Sequence, residues 1–239
     1  YAEALDALGE RVRVHVKIDT GMHRLGEPWD RPEEIARIWN CRNLQITGVF
    51  THLCAAGSPL PRDRAFTLAQ GSAFYDCISG LRARGCAVPK VHLLASCGLL
   101  NYPELGGDYA RVGIALYGVL SSQRELDACP VELRPVLSLK ARVAQVRELR
   151  QGEGAGYDLQ FTAQRDAKIA VLTIGYGDGL PRGLSRGAGA ALINGRAAPI
   201  AGLVCMDQTL ADVTDIPNVS PGDTAVLIGK SGDLELTAC

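Results

Sequence analysis

Four polar groups stand where short apolar runs give way to turns: Arg24 in HVKIDTGMHRLG, His52 in GVFTHL, Ser96 in LASCG, and Arg111 with Gly113 in RVGIALY. An arginine just past a strand that ends in Asp-Thr-Gly puts a guanidinium at the mouth of a site. Polar side chains gathered at the C-terminal ends of successive parallel strands are the arrangement of a (β/α) barrel active site. Each group also has a plainer reading. Arg24 is then one solvated residue of a βα loop, Arg111 an arginine salt-bridged after Asp108, and RVGIALYG a core strand.

The elements that must position these groups follow from periodicity. Val12, Val14 and Val16 predict a short buried strand broken at Asp19–Gly21. A helix is expected over Arg31–Trp39, with Pro32 at its start and Glu33 and Glu34 in its first turn. Strands follow at Leu44–Phe50, Lys90–Leu94 and Tyr109–Tyr117, and a helix spans Asp63–Arg84 until Gly85 stops it. Strands separated by such helices make βαβ units with a parallel sheet. A full barrel needs eight strands and about 250 residues, of which about half is present; an open doubly wound sheet reads the same locally. From Leu133 the texture changes to short alternating strands at Leu137–Val146, Lys168–Ile174, Ala190–Ile193, Ile200–Val204 and Ala225–Ile228, separated by glycine turns. That is an antiparallel β domain. The expected division is 1–130 and 131–239, with Pro130 and Pro135 bracketing the crossing.

Composition bounds the function. The 239 residues are 47% hydrophobic and 21% charged, enough for a sizeable core, and a net charge of −1 without a basic run points away from nucleic acid and anionic membranes. No apolar run reaches membrane-spanning length. Eight cysteines, scattered without a CxxC pair or zinc-ligand spacing, read as reduced, mostly buried thiols in a cytosolic setting, with no metal site. The opening YAEALDALGE reads as an amphipathic helix fragment and the end ELTAC as the edge of a strand, so the chain is read as a fragment.

KIDTGMHRLG, GVFTHL, the Ser96 loop, ARVGIALYG, GAGYDLQFTA, IGYGDGL and GLVCMDQ occur in the order, and at about the spacing, of the alanine racemase family, which the chain resembles over almost its whole length. HRLG and SCGLLNYPE are most similar to the racemase domain of VanT-type serine/alanine racemases. The resemblance implies fold type III: part of a TIM-type β/α barrel holding pyridoxal 5′-phosphate, then an antiparallel β domain. It further implies a homodimer with shared active sites. The implied reaction interconverts L- and D-alanine or L- and D-serine with two bases, a lysine and a tyrosine, supplying D-amino acids for peptidoglycan precursors and vancomycin resistance. The implied location is the cytoplasm, or a cytoplasmic domain tethered by an N-terminal membrane segment.

By the same resemblance Tyr157 is the catalytic tyrosine, offered to the partner's site and linked through His52 to Arg111. A free tyrosine has a pKa near 10, so it needs such help to act as a base; without the resemblance, Tyr157 reads as a surface turn residue. Arg111 would face the cofactor's pyridine nitrogen, with His52 beside the ring and Ser96, Gly113 and Ile114 on the phosphate. Arg24 would face the substrate carboxylate, supported by a carbamylated Lys17. The Met206 backbone N–H, Asp207 and Tyr176 would line the substrate entrance, while Asp178 reads as structural. The lysine that holds the cofactor belongs upstream of Tyr1, and Lys17, Lys90, Lys140, Lys168 and Lys230 match no such motif; the chain alone is therefore expected to be inactive. Two positions depart from the common pattern: Ala95 replaces an asparagine, and His23 replaces a small or amide residue. A fold type III decarboxylase and a non-catalytic pyridoxal-phosphate-binding pseudoenzyme are the alternative readings.

Overall fold

A computed structural model describes residue 4 and residues 7–238, so the expected N-terminal amphipathic helix lies largely outside the described residues. The chain divides into two compact units, one running to Pro135 and the other from Val136 to Ala238.

In the first unit β1 (Val12–Asp19) pairs in parallel with β2 (Glu27–Pro28) and β3 (Leu44–Phe50), and β4 (Val91–His92) joins β3, giving the order β2-β1-β3-β4. Helix α1 (Pro32–Ala36) passes into a 3-10 turn at Arg37–Asn40, so the helix expected over 31–39 is split. Helix α2 (Pro61–Ala83) starts two residues earlier than expected because Pro61 fills a first-turn position that needs no N–H. Side-chain alternation divides the sheet. Val16 and Ile18 pack with Val49, Ile35, Phe74, Ile78 and Leu81, while the opposite face carries His15, Lys17 and Asp19. Val12, expected in the core, is 40% exposed: it opens the strand and takes no part in the cluster.

Two further expectations, both of strands, fail in this unit. The strand over 90–94 shrinks to Val91–His92, because Ser96 already begins helix α3 (Ser96–Asn101). RVGIALY is not a strand. Arg111 makes a single parallel bridge to Ala95, and Ile114–Tyr117 is a 3-10 turn whose Ile114, Leu116 and Tyr117 are exposed. Gly118 ends that turn at φ 74, and a Cβ there would fall 1.8 Å from the Arg134 carbonyl, so the chain turns back tightly where a strand would run on. In α2 the first half buries Thr67 and Gln70 while Phe66 and Leu68 lie exposed. Helix α4 (Gln123–Asp127), capped by the Ser122 hydroxyl, completes the described elements of this unit.

The second unit is a seven-stranded antiparallel sheet in the order β10-β9-β12-β5-β8-β11, with β13 (Leu234–Leu236) on β12. Its strands are β5 (Leu139–Leu149), β8 (Ala167–Leu172), β9 (Ala190–Ile193), β10 (Arg196–Pro199), β11 (Thr209–Asp212) and β12 (Thr224–Ser231). The strand expected at 200–204 is absent. Ile200 makes one bridge to Ala211, and Gly202 at φ 67 turns the chain away. A separate hairpin, β6 (Gly154–Ala155) with β7 (Phe161–Thr162), carries Tyr157 in its connection. Among the described residues no helix is long and apolar enough to cross a membrane.

Phe74 is fully buried at the centre of the first core. Phe74→Ala is expected to cost about 3–5 kcal/mol, read from the denaturant midpoint at unchanged slope; a loss below about 1 kcal/mol would contradict this packing.

Candidate active site

Arg111 is the hub of the first unit. Its backbone N–H donates to the Leu94 carbonyl (2.9 Å), which holds the residue beside the end of β4. One guanidinium nitrogen, Nη2, donates to the Thr51 carbonyl (2.7 Å), to His52 Nδ1 (3.4 Å) and to the Leu93 carbonyl (3.4 Å). The other, Nη1, donates to His92 Nδ1 and to the His92 carbonyl (3.3 Å). The guanidinium carbon lies 5.1 Å from the centre of the Phe50 ring, a cation–π distance. An arginine has only donors, so both imidazoles present a bare Nδ1 to it and carry their single proton on Nε2.

That geometry sets the electrostatics. Burial and then the Arg111 charge hold His52 below the usual histidine range, with Arg24 and Lys17 adding to the effect. His92 is pushed down to about 4 by burial, then Arg111, then His15, against a small opposing effect of Asp108. Lys17 is also lowered. Its burial is the main cause, Arg24 and Arg111 add to it, and Asp19 opposes it. The Lys17 ammonium donates to the Leu25 carbonyl. Asp19 Oδ1 accepts the N–H groups of Gly21, Met22 and His23 (3.0, 3.0 and 3.1 Å), which fixes the turn leading to Arg24. Arg24 itself is exposed.

A buried polar layer locks the strand ends together. Thr20 Oγ1 and Thr51 Oγ1 are 2.8 Å apart, and Gln70 Nε2 donates to Thr20 Oγ1 (3.2 Å) and to the His52 carbonyl (3.3 Å). Gln70 Oε1 accepts the Cys54 N–H (3.1 Å). Ser96, buried at the start of α3, accepts the N–H groups of Gly113 (3.0 Å) and Ala115 (3.3 Å) on its hydroxyl. A cavity of about 700 Å³ opens beside these groups, with His52, Ala95, Ser96, Arg111, Gly113 and Ile114 in its wall. The structure thus brings together His52, Ser96, Arg111, Gly113 and Ile114, with Lys17 and Arg24 near enough to influence His52.

Tyr157, Tyr176, Met206 and Asp207 belong to the second unit. Tyr157 is 66% exposed, on a connection where Gly156, Asp158 and Leu159 all have positive φ (75, 55 and 49). The other three share one place. Tyr176 N–H donates to the Cys205 carbonyl (2.9 Å) and Gly177 N–H to the Met206 carbonyl (2.7 Å), stitching the YGDG turn to the CMDQ loop. A Cβ at Gly175 would fall 2.3 Å from both carbonyls, which is why the approach needs glycine. Asp178 accepts the Gly175 N–H (3.0 Å) and serves this turn.

Sequence reasoning missed His92, His15 and Gln70. His92 sits in KVHLL, which reads as a core strand, and Gln70 lies on the buried face of a helix that apolar periodicity describes only in its second half. Two signals were available: His15 alternates with Lys17 on one strand face, and Gly48 interrupts a strand interior, a mark of close approach.

His92 is unprotonated in the folded chain at pH values where an unfolded histidine, near 6.5, gains its proton. Its contribution to stability is therefore complete above about pH 6.5 and is lost as pH falls from there toward about 4. Denaturation midpoints are expected to fall between about pH 7 and pH 5, and less steeply in His92→Gln. Parallel profiles for the two proteins would contradict this.

Comparison with known proteins gives the family. The model of the alanine racemase N-terminal domain matches residues 1–121, and that of the C-terminal domain matches 136–239. An amino-acid racemase of Enterococcus faecalis is 44% identical over 238 residues, covering 100% of this chain and 33% of that protein. An alanine racemase of Halothermothrix orenii is 38% identical over 230 residues, covering 95% and 58%. Among solved structures, the Bacillus anthracis alanine racemase with bound L-Ala-P superposes with a TM-score of 0.88 at 29% identity, covering 99% and 62%. The Bartonella henselae alanine racemase, with covalently bound pyridoxal phosphate, gives 0.77 at 27%, covering 96% and 61%. The chain spans about a third to six-tenths of the length of these relatives. With its parallel β/α unit answering to part of a TIM-type barrel and its second unit to the β domain that follows, the chain belongs to the alanine racemase family.

Proposed function

We propose that this chain is part of a pyridoxal-5′-phosphate-dependent racemase that interconverts the L- and D-forms of alanine or serine. The observation that carries the reading is Arg111, a guanidinium at the end of a parallel sheet, bonded to His52 and opening onto the cavity that holds Ser96 and Gly113.

The residues present fit the cofactor. The cavity, about 700 Å³, is within the usual range for small-molecule sites. Ser96 and the backbone of Gly113 and Ile114 lie in its wall, and a Cβ at Gly113 would meet nothing within 4 Å, so a phosphate has room against the backbone. Arg111, which donates and never accepts, suits a ring nitrogen kept unprotonated. Pyridoxal phosphate, when bound, supplies an electron sink for the pair left at the substrate α carbon.

The chain's own groups handle the proton and the orientation. His52 carries its proton on Nε2 because Nδ1 accepts from Arg111, and in this reading it donates that proton toward the Oη of Tyr157 from a second subunit. Tyr157 then takes or returns the α proton on one face of the substrate. The base for the other face is none of Lys17, Lys90, Lys140, Lys168 and Lys230, and is assigned to the length of the relatives that the chain does not span. Arg24 orients the substrate carboxylate. Lys17, with its lowered affinity for a proton, is suited to react with CO₂; the resulting carbamate accepts a guanidinium's paired N–H groups. The Met206 N–H, Asp207 and Tyr176 form the entrance lent to the partner subunit. Ala95, small where the family commonly has asparagine, favours serine beside alanine. In this assignment residues 1–130 are barrel and 131–239 the β domain, of a homodimer whose product D-amino acids serve cell-wall precursors in the manner of the VanT type.

The test is the full-length protein supplied with pyridoxal phosphate and L-alanine or L-serine. D-amino acid is expected. CO₂ release, or no turnover, would overturn the reading. Tyr157→Phe is expected to lower kcat about 10²–10⁴-fold, with cofactor absorbance retained. A ¹³C-labelled bicarbonate supply is expected to give a carbamate resonance that Lys17→Ala abolishes; an identical spectrum in the variant would remove Lys17 from the role.

A further inference from the structure

We propose that His92 and His15 are positioning residues for Arg111: the pair engages one end of the guanidinium and dictates which end remains for His52. The inference rests on the reading of Arg111 as the arginine of the racemase site.

His92 is 5% exposed, at the end of β4. Its Nδ1 accepts from Arg111 Nη1, and its Nε2 lies 2.7 Å from His15 Nδ1. The ring is held on two sides. Phe50 stacks on it at 5.1 Å and 5°, and Tyr109 meets it edge-on at 5.9 Å. Proton placement follows in sequence. Arg111 can only donate, so His92 Nδ1 is bare and Nε2 is protonated; His92 therefore donates to His15 Nδ1, and His15 carries its own proton on Nε2.

His15 belongs to β1 and His92 to β4, with β3 between them. The crossing is possible because the residue of β3 registered against His15 is Gly48. A Cβ at Gly48 would fall 2.8 Å from the His15 ring, so the imidazole lies in the notch that the glycine leaves. A shift of register between Val14 and His15 sets that alignment. The charged and titratable groups acting on His92 are Arg111, His15 and Asp108, and Asp108 is itself paired with Lys90 at 3.0 Å.

With Nη1 taken by His92 and Nη2 shared among Thr51, His52 and Leu93, the Nε–H of Arg111 has no partner among the described residues. The His52 contact, at 3.4 Å, is among the longest and so the most sensitive to rotation of the guanidinium. Loss of the His92 acceptor frees that rotation.

The experiment is ¹⁵N-histidine NMR of the full-length, cofactor-loaded protein; this chain contributes four histidines, His15, His23, His52 and His92. The expected spectrum has His92 protonated on Nε2 and bare at Nδ1, unchanged as pH is lowered from about 8 to 5.5. Gly48→Ala is expected to shift the His92 Nε2–H resonance by displacing His15, although neither histidine is replaced. His92→Leu is expected to lower kcat about 10–100-fold, with KM within about twofold and the His52 resonances moved. His92→Gln, whose amide can accept from Arg111 and donate to His15, should keep kcat within about threefold. A His92 proton on Nδ1, titration near the ordinary histidine value, or an unchanged kcat in a folded His92→Leu protein would each overturn the proposal. The unsubstituted protein separates the two readings. If it makes no D-amino acid the racemase assignment fails, while the His92 tautomer is still decided by the spectrum.

Discussion

The first unit is arranged around a half-buried positive charge that no carboxylate neutralises. Among the described residues Arg111 forms no salt bridge; its partners are three backbone carbonyls and two imidazoles. An unmatched charge in such a place is costly unless its donors are satisfied, and here the satisfaction comes from acceptors that are neutral. The cost is transferred to the histidines, which must stay uncharged to remain acceptors. Burial first, and then the Arg111 charge, lowers both His52 and His92, and the positive groups Lys17 and Arg24 reinforce the effect on His52. A carboxylate at the same place would have quenched the guanidinium and removed its share of that lowering.

The sheet makes this possible by separating its two faces. Val16, Ile18 and Val49 look toward α1 and α2 and supply the core. The alternate residues His15, Lys17 and Asp19 of the same strand lie on the face of the candidate site. Fold stability and chemistry are therefore encoded in one strand, residue by residue, and a one-residue slip of β1 would exchange them. Gln70 is the exception that joins the faces: it is rooted in the helical layer, yet it bonds to Thr20, the His52 carbonyl and the Cys54 N–H at the strand ends.

The legibility of these parts from sequence follows the same division. Leu44–Phe50 and Ala190–Ile193 were readable to the residue because alternation and turn residues agree at both ends. RVGIALY and the stretch at 200–204 were not, since an apolar run has no intrinsic period to separate a strand from a 3-10 turn or a bent connection. In both places a glycine with positive φ, Gly118 or Gly202, decides the outcome, and at Gly118 a close approach to the Arg134 carbonyl adds a constraint that is long-range in origin. Of the candidate site, Arg24, His52 and Ser96 were visible because each follows an expected strand, and Arg111 because its charge stands in an otherwise apolar run. His92 and His15 were hidden because each lies inside one, and what makes them partners is the absence of a side chain on a third strand. Only the seven ordered motifs reached the second unit's Tyr157, Tyr176, Met206 and Asp207, whose local sequence reads as ordinary turns.

The connection that carries Tyr157 has one more consequence. Gly156, Asp158 and Leu159 each occupy the left-handed region, and for the last of these that conformation is costly. Such a loop has few alternative conformations, so the phenol is presented ready-shaped. The entropy of ordering it is settled when the chain folds, and whatever the phenol later meets need not supply it again.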